Sequence, residues 1–206
     1  LVRDERGRAR GHNPLFLDAA LAMRDFVEPA MLGLRHKIGA LVFQLSPLPD
    51  VWRRQPSRLF DALAAMLRQL PDIRATAPDG LIAVELRDAD LVLPELADML
   101  KSVGASYCLG LHAKMPAIED QLPVLRRLWP SPLVCRWNLH RRHGPYGHEQ
   151  AKALYEPYNV IQDKDIETRA TLARVVTATA QAGMPVYVSI GNKAEGCAPR
   201  SVLALA

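Results

Sequence analysis

The chain has 206 residues, 49% of them hydrophobic and 23% charged, and a formal net charge of +4 at pH 7. That length and apolar content suit one domain with a sizeable core and exclude a disordered chain. The modest positive charge permits an anionic partner without demanding one. No apolar run approaches the ~18 residues of a membrane-spanning helix, so no membrane partner is expected.

The opening stretch, "LVRDERGRARGHNP", is charged from its start and has neither a signal-peptide pattern nor an initial methionine. Further chain is therefore expected before Leu1. Asn13 and Pro14 resemble an N-cap and a first helical position, with apolar residues at helical spacing to Val27 and Pro29 expected to end or kink the helix. A short strand is predicted at 41–46 and an amphipathic helix over 56–70, striped by Leu59, Leu63, Met66 and Leu70. Strand 81–88 and helix 91–103 follow, then strand 106–111 and a helix over 117–129 broken near Pro123. Strand 133–139 precedes a long polar loop at about 140–163, rich in His, Arg, Tyr and Pro. Asp165 is placed to cap a helix to Gln181, Gly183 and Pro185 punctuate its end, 186–190 is the last strand, and Pro199 begins a final helix.

Strands alternating with helices predict βαβ units and parallel pairing. Within the strands one face is wholly apolar, carrying Ile82, Val84 and Leu86 in one and Cys135, Trp137 and Leu139 in another. The opposite face begins apolar and turns polar toward the C-terminal end, with Gln44, Glu85, Arg87, Arg136 and Asn138. Both faces of an open doubly wound sheet would meet helices. A (β/α) barrel instead turns one face into its lumen and places its sites at the C-terminal mouth. The fold class expected is therefore α/β, a TIM-barrel-like (β/α) barrel.

The segments "GALVFQLSP", "VELRD", "CRWN" and "GNKAEGCAP" occur in this order and together resemble the YecE-like proteins, a bacterial domain-of-unknown-function family. The resemblance runs from about residue 26 to the end. It implies a TIM-barrel-like fold with about five of eight βα units in this chain, forming a single partial barrel domain over 1–206. It assigns no reaction. Gln44 matches the family's strand-four glutamine, Glu85 and Arg87 its Glu-x-Arg pair, Arg136 its strand-seven arginine and Asn192 an asparagine after strand eight. Gly196, Ala198 and Pro199 match its turn into the last helix. The chain departs at strand seven, where Arg136-Trp137-Asn138-Leu139 stands in place of Arg-x-His-Gly and the nearest histidine, His140, comes two residues late.

Three catalytic candidates follow: Glu85, Arg87 and Arg136, an acid/base and anion-binding cluster or else a structural ion pair. A carboxylate among guanidiniums stays ionised, and two arginines suit a phosphate or carboxylate. Asn138 would join them as a substrate-binding residue beside Gln44. Asn192 and Lys193 lie between a strand end and a helix N-terminus, a geometry that binds phosphate. In the predicted loop, Arg141, Arg142 and Tyr146 combine basic and aromatic groups as nucleic-acid-binding segments do, or form ordinary surface charge. His140, His143 and His148, with His112 and Asp88 in reach, fit no zinc-ligand spacing, so no metal site is expected. Cys197 is read as packing, and the odd set Cys108, Cys135 and Cys197, with no Cys-x-x-Cys pair, points to reduced thiols and a cytoplasmic location. No P-loop, nucleophile-elbow or dinucleotide motif occurs, so the cofactor stays unknown. Two functions fit: a hydrolase acting on a phosphorylated or nucleic-acid substrate at the barrel mouth, or a non-catalytic module binding nucleic acid or a sugar-phosphate. No feature fixes an oligomeric state.

Overall fold

The computed structural model describes residues 2–3, 9–11, 13–144 and 146–206. Pro145, half of the Gly-Pro turn expected in the polar segment, and most of the charged opening run lie outside them. A short antiparallel ribbon pairs β1 (Val2–Arg3) with β2 (Ala9–Gly11). Five further strands form one parallel sheet in sequence order: β3 (Ala40–Gln44), β4 (Leu81–Glu85), β5 (Ser106–Leu111), β6 (Leu133–Trp137) and β7 (Val186–Ile190). The sheet is curled into a half-barrel, with β3 and β7 at its two edges.

Helices cover the convex face. α4 (Pro56–Leu67) buries Leu59, Phe60, Leu63, Met66 and Leu67, the stripe that its sequence period predicts. These join α5 (Pro94–Ser102), α6 (Ile118–Leu128) and α8 (Ile166–Gln181) in one core against Val84, Leu86, Tyr107, Leu109, Cys135 and Trp137 of the sheet. Leu81, Ala83, Cys108 and Val134 form a separate small cluster on the concave face. The two-faced strand pattern is thus the pattern of the fold.

At its N-terminal end the concave face is spanned by Tyr187. Its hydroxyl donates to the Asp79 carbonyl over 2.9 Å, and its ring sits where a Cβ on Gly39 would stand, 2.6 Å from Cε1. A residue from the last strand therefore packs on the chain entering the first two strands of the sheet.

Several boundaries differ from expectation. Asn13 Oδ1 accepts from the Leu15 amide, and Asp18, not Asn13, caps α1 (Ala19–Ala22). Pro29 does not end the helical run. A widened turn, Met23–Val27, runs directly into α2 (Glu28–Leu34), and Pro29 lies just after this local widening of the helix, which continues past it. Pro123 lies inside an unbroken α6. β4 stops at Glu85 and β6 at Trp137, so Arg87 and Asn138 lie in the following loops rather than at strand ends. Asp165 does cap α8, accepting from the Thr168 amide over 3.1 Å, and Gly183 follows in left-handed geometry at φ 73°.

The segment 140–163 is not simply a loop. A single helical turn (Arg141–His143) leads to α7 (His148–Tyr155), after a short α3 (Asp50–Arg53) earlier in the chain. Ala151 and Tyr155, one turn apart, bury one side of α7 against Leu139.

Candidate functional site

The parallel register puts Gln44 beside Glu85 at the C-terminal ends of β3 and β4. Glu85 is fully buried on the concave face, and β5 contributes only Cys108 and Gly110 beside it. These small residues leave room for Arg136 of β6 to cross to β4, where its Nη1 donates to Glu85 Oε2. Arg87 approaches from the loop after β4. Its Nη2 stands 2.8 Å from Glu85 Oε1, off the hydrogen-bonding direction, and donates to Gln44 Oε1 over 3.0 Å. Gln44 Oε1 also accepts from Arg136 Nη1 over 3.3 Å. Two guanidiniums thus share one carboxylate and one amide oxygen. Buried polar atoms ordinarily find partners, yet Glu85 Oε1, Arg87 Nε and Asn138 Nδ2 lack hydrogen-bond partners here.

Cys108 lies beside this cluster, and burial pushes its thiol up to about 12, with the Glu85 charge adding to the effect. A thiol so disposed is packing, not a nucleophile. Asp88 is held by the Leu48 amide at 2.8 Å and lies 3.7 Å from Arg53; burial raises it above the usual carboxylate range.

The histidines divide into two groups. His112, just past β5, places Nε2 3.3 Å from Nε2 of His148 at the start of α7. His112 is pushed down to about 4, by burial first and then by Arg87, His148 and Lys114; His148 is lowered by burial, Lys193 and Arg87. Arg87, Lys114 and Lys193 therefore converge electrostatically on this pair. Lys114 Nζ also lies 4.4 Å from the ring centroid of the exposed Tyr146. The second group faces elsewhere. His143 Nε2 lies 2.6 Å from the Tyr155 hydroxyl, which donates to Asp163 Oδ2 over 2.7 Å, and Arg142 Nη1 donates to Asp163 Oδ1. His140 lies 3.9 Å from Asp165, so it does not take the place of the strand-seven histidine that the sequence lacks. Among the described residues no three His, Cys, Asp or Glu side chains converge in a way that could hold a metal ion.

The other candidates separate as well. Asn192 Oδ1 accepts from the Ala198 amide over 2.9 Å, so it reaches forward from the turn after β7 to satisfy the first N–H of α9 (Ala198–Leu205). Lys193 is partly buried, and its carbonyl accepts from the His140 amide over 2.9 Å. Arg141 is exposed and lines a cavity of about 330 Å³ with His140, Glu119 and Asp165, rather than meeting Glu85. Arg142 is engaged with Asp163, so its first role is to hold 140–163 in place.

Three residues of weight are not marked by any local sequence pattern. The sequence offers His112 and His148 only as metal ligands, yet the fold pairs their Nε2 atoms over 3.3 Å. Glu195, inside the "GNKAEGCAP" segment, is fully buried. Its Oε1 accepts from the Asp165 amide and Arg169 Nε, and its carbonyl accepts from the amides of Gln162 and Asp163. It pins the end of the 140–163 segment to the turn after β7. A lone glutamate between small residues in a turn is a usable hint of such an anchor, since a buried charge persists only with partners.

The family model described as protein of unknown function DUF72 matches residues 8–206. No curated protein and no solved structure matches the chain. With a match over nearly its whole length, the chain belongs to the YecE-like, DUF72 family.

Proposed function

We propose that the five βα units are part of a TIM-barrel-like (β/α) barrel in one domain, and that its C-terminal mouth binds an anionic substrate and hydrolyses it. The substrate class is a phosphorylated small molecule or nucleic acid. The observation that carries this reading is the charge balance at the strand ends. Arg87 and Arg136 share a single carboxylate, Glu85, and the further positive groups Lys193 and Lys114 stand near His148 and His112. Surplus positive charge at these strand ends attracts an anion, and it stabilises charge that develops on a leaving oxygen. Gln44, exposed at its rim, supplies a further polar contact.

A non-catalytic binding module is favoured by one particular feature. Glu85 directs both carboxylate oxygens at guanidiniums, so it is poorly placed to accept a substrate proton. Calorimetric titration with inorganic phosphate and with a short single-stranded oligonucleotide tests the shared claim. Lys193→Ala should weaken binding of both about tenfold, the loss of one charged contact. Unchanged binding in that variant, or none in the wild type, removes the anion reading. Binding without release of phosphate or nucleotide from any phosphoester offered supports the module.

A further inference from the structure

The two histidines at the mouth carry more information than their proximity. The Lys114 amide donates to His112 Nδ1 over 3.1 Å. A ring nitrogen that accepts a hydrogen bond bears no proton, so the single proton of uncharged His112 sits on Nε2. That Nε2–H is 3.3 Å from His148 Nε2, which must then be the acceptor. The proton of His148 is left on Nδ1. A backbone amide thus dictates the tautomer of one ring, and that ring dictates the tautomer of the next.

The same chain of bonds opposes protonation. An imidazolium at His148 would place two N–H groups nose to nose, and His112 cannot reverse its tautomer without opposing the Lys114 amide. The charged groups around the pair act in the same direction: Arg87 after β4, Lys114 after β5 and Lys193 after β7, against only Glu149 on α7 itself. With its Nε2–H fixed, His112 also has no lone pair to offer a metal ion there.

We propose that His148 is a hydrogen-bond donor to the ligand through its Nδ1–H, in an uncharged tautomer, and that His112 is the positioning residue that fixes that tautomer. The recognised group is an oxygen acceptor, a phosphoryl or carboxylate oxygen lying beside Arg87 and Lys193. An uncharged imidazole donor holds such an oxygen through an N–H far less acidic than an imidazolium's, so the proton stays on the ring. This inference rests on the anion-binding reading of the mouth and assigns it a specific donor.

Long-range proton–nitrogen correlation spectra of the full chain at neutral pH test the tautomers without any ligand. His112 is expected with its proton on Nε2 and His148 with its proton on Nδ1. In His112→Ala, His148 should shift toward the Nε2–H form that free imidazoles favour. Dimethyl phosphate, whose charge does not change with pH in this range, serves as the ligand probe. His148→Ala should weaken it about tenfold, the equivalent of about 1.4 kcal/mol, and His112→Ala should weaken it comparably. His148 found with its proton on Nε2, or charged, overturns the donor assignment and leaves the anion reading standing. The expected tautomers with no binding of the probe by the wild type overturn both. Should His112→Ala fail to fold, the wild-type spectrum and His148→Ala still decide.

Discussion

Arg136 on β6 reaches across β5 to the carboxylate of Glu85 on β4. The contact joins residues from strands that are not neighbours, and it exists because β5 presents only small residues on that face. Glu85 is fully buried and balances two guanidiniums, so Glu85→Gln leaves both with only amide oxygens. Removing one partner of a buried ion pair costs about 3–5 kcal/mol. Arg136 retains 33% side-chain exposure, which places the expected loss near the lower end, about 3 kcal/mol. Urea denaturation checks it, and a loss below about 0.5 kcal/mol, the ordinary scale of a surface substitution, contradicts the structural account.

Tyr187 and Gly39 should be energetically coupled. A methyl group on Gly39 would meet the Tyr187 ring at 2.6 Å, so Gly39→Ala must displace the ring or the strand entrance. Overpacking of this kind costs typically about 1–3 kcal/mol. In a Tyr187→Ala background the penalty should fall to near zero, because the obstructing ring is gone. Additive losses in this double-mutant cycle would mean that the ring does not lie there.

The stability of the fold should fall with acid earlier than carboxylate titration alone predicts. His112 titrates near 6.5 when unfolded but is pushed down to about 4 in the fold. Between those values the unfolded chain takes up a proton that the folded chain refuses. The contribution is therefore complete above about pH 6.5 and is lost as pH falls toward 4. Denaturation midpoints at pH 7.5 and 5 should differ more in wild type than in His112→Gln; equal differences would mean that His112 does not contribute.

Much of this was legible in the sequence because β-strand alternation is strict. Ile82, Val84 and Leu86 announced the helix-facing side, and Gln44, Glu85 and Arg136 the concave side, whatever the exact strand ends. Arg87 still reaches Glu85 even though β4 ends before it, since a long side chain compensates for two residues of loop. The α7 helix was not legible: only Ala151 and Tyr155 mark its apolar side, amid His, Glu, Gln and Lys. The pairing of His112 with His148 depends on how 140–163 folds back, a relationship across 36 residues that no local pattern encodes. Pro29 and Pro123 are poor guides to helix ends here, because the run through Met23–Val27 widens just before Pro29 and α6 continues through Pro123 at the loss of one i→i−4 hydrogen bond.

Arg141 and Arg142 should behave differently despite adjacency. Arg142→Ala removes the partner of Asp163, which also accepts from the buried Tyr155, and should increase proteolytic cleavage within 140–163. Arg141→Ala, at an exposed position, should leave cleavage unchanged. Equal susceptibility of the two variants would contradict the role given to the Asp163 contact.

The three thiols should be silent in the native protein. Cys108, Cys135 and Cys197 are all buried and free, and burial raises both Cys108 and Cys135. A thiol-reactive chromogen should titrate none of them before denaturant and all of them after it. Rapid native reaction at Cys108 would mean that the concave face admits solvent beside Glu85.

The anion-binding claim is tested most directly by titrating the labelled full chain with inorganic phosphate while following the side-chain Nε–Hε resonances of Arg87 and Arg136 and the backbone amide of Lys193. Saturable shifts at all three, fitted by one dissociation constant that weakens as salt rises, are the predicted result. Shifts confined to exposed arginines such as Arg141, or no saturable change at Arg87 and Arg136, would contradict a binding site at the mouth and return the cluster to a purely structural role.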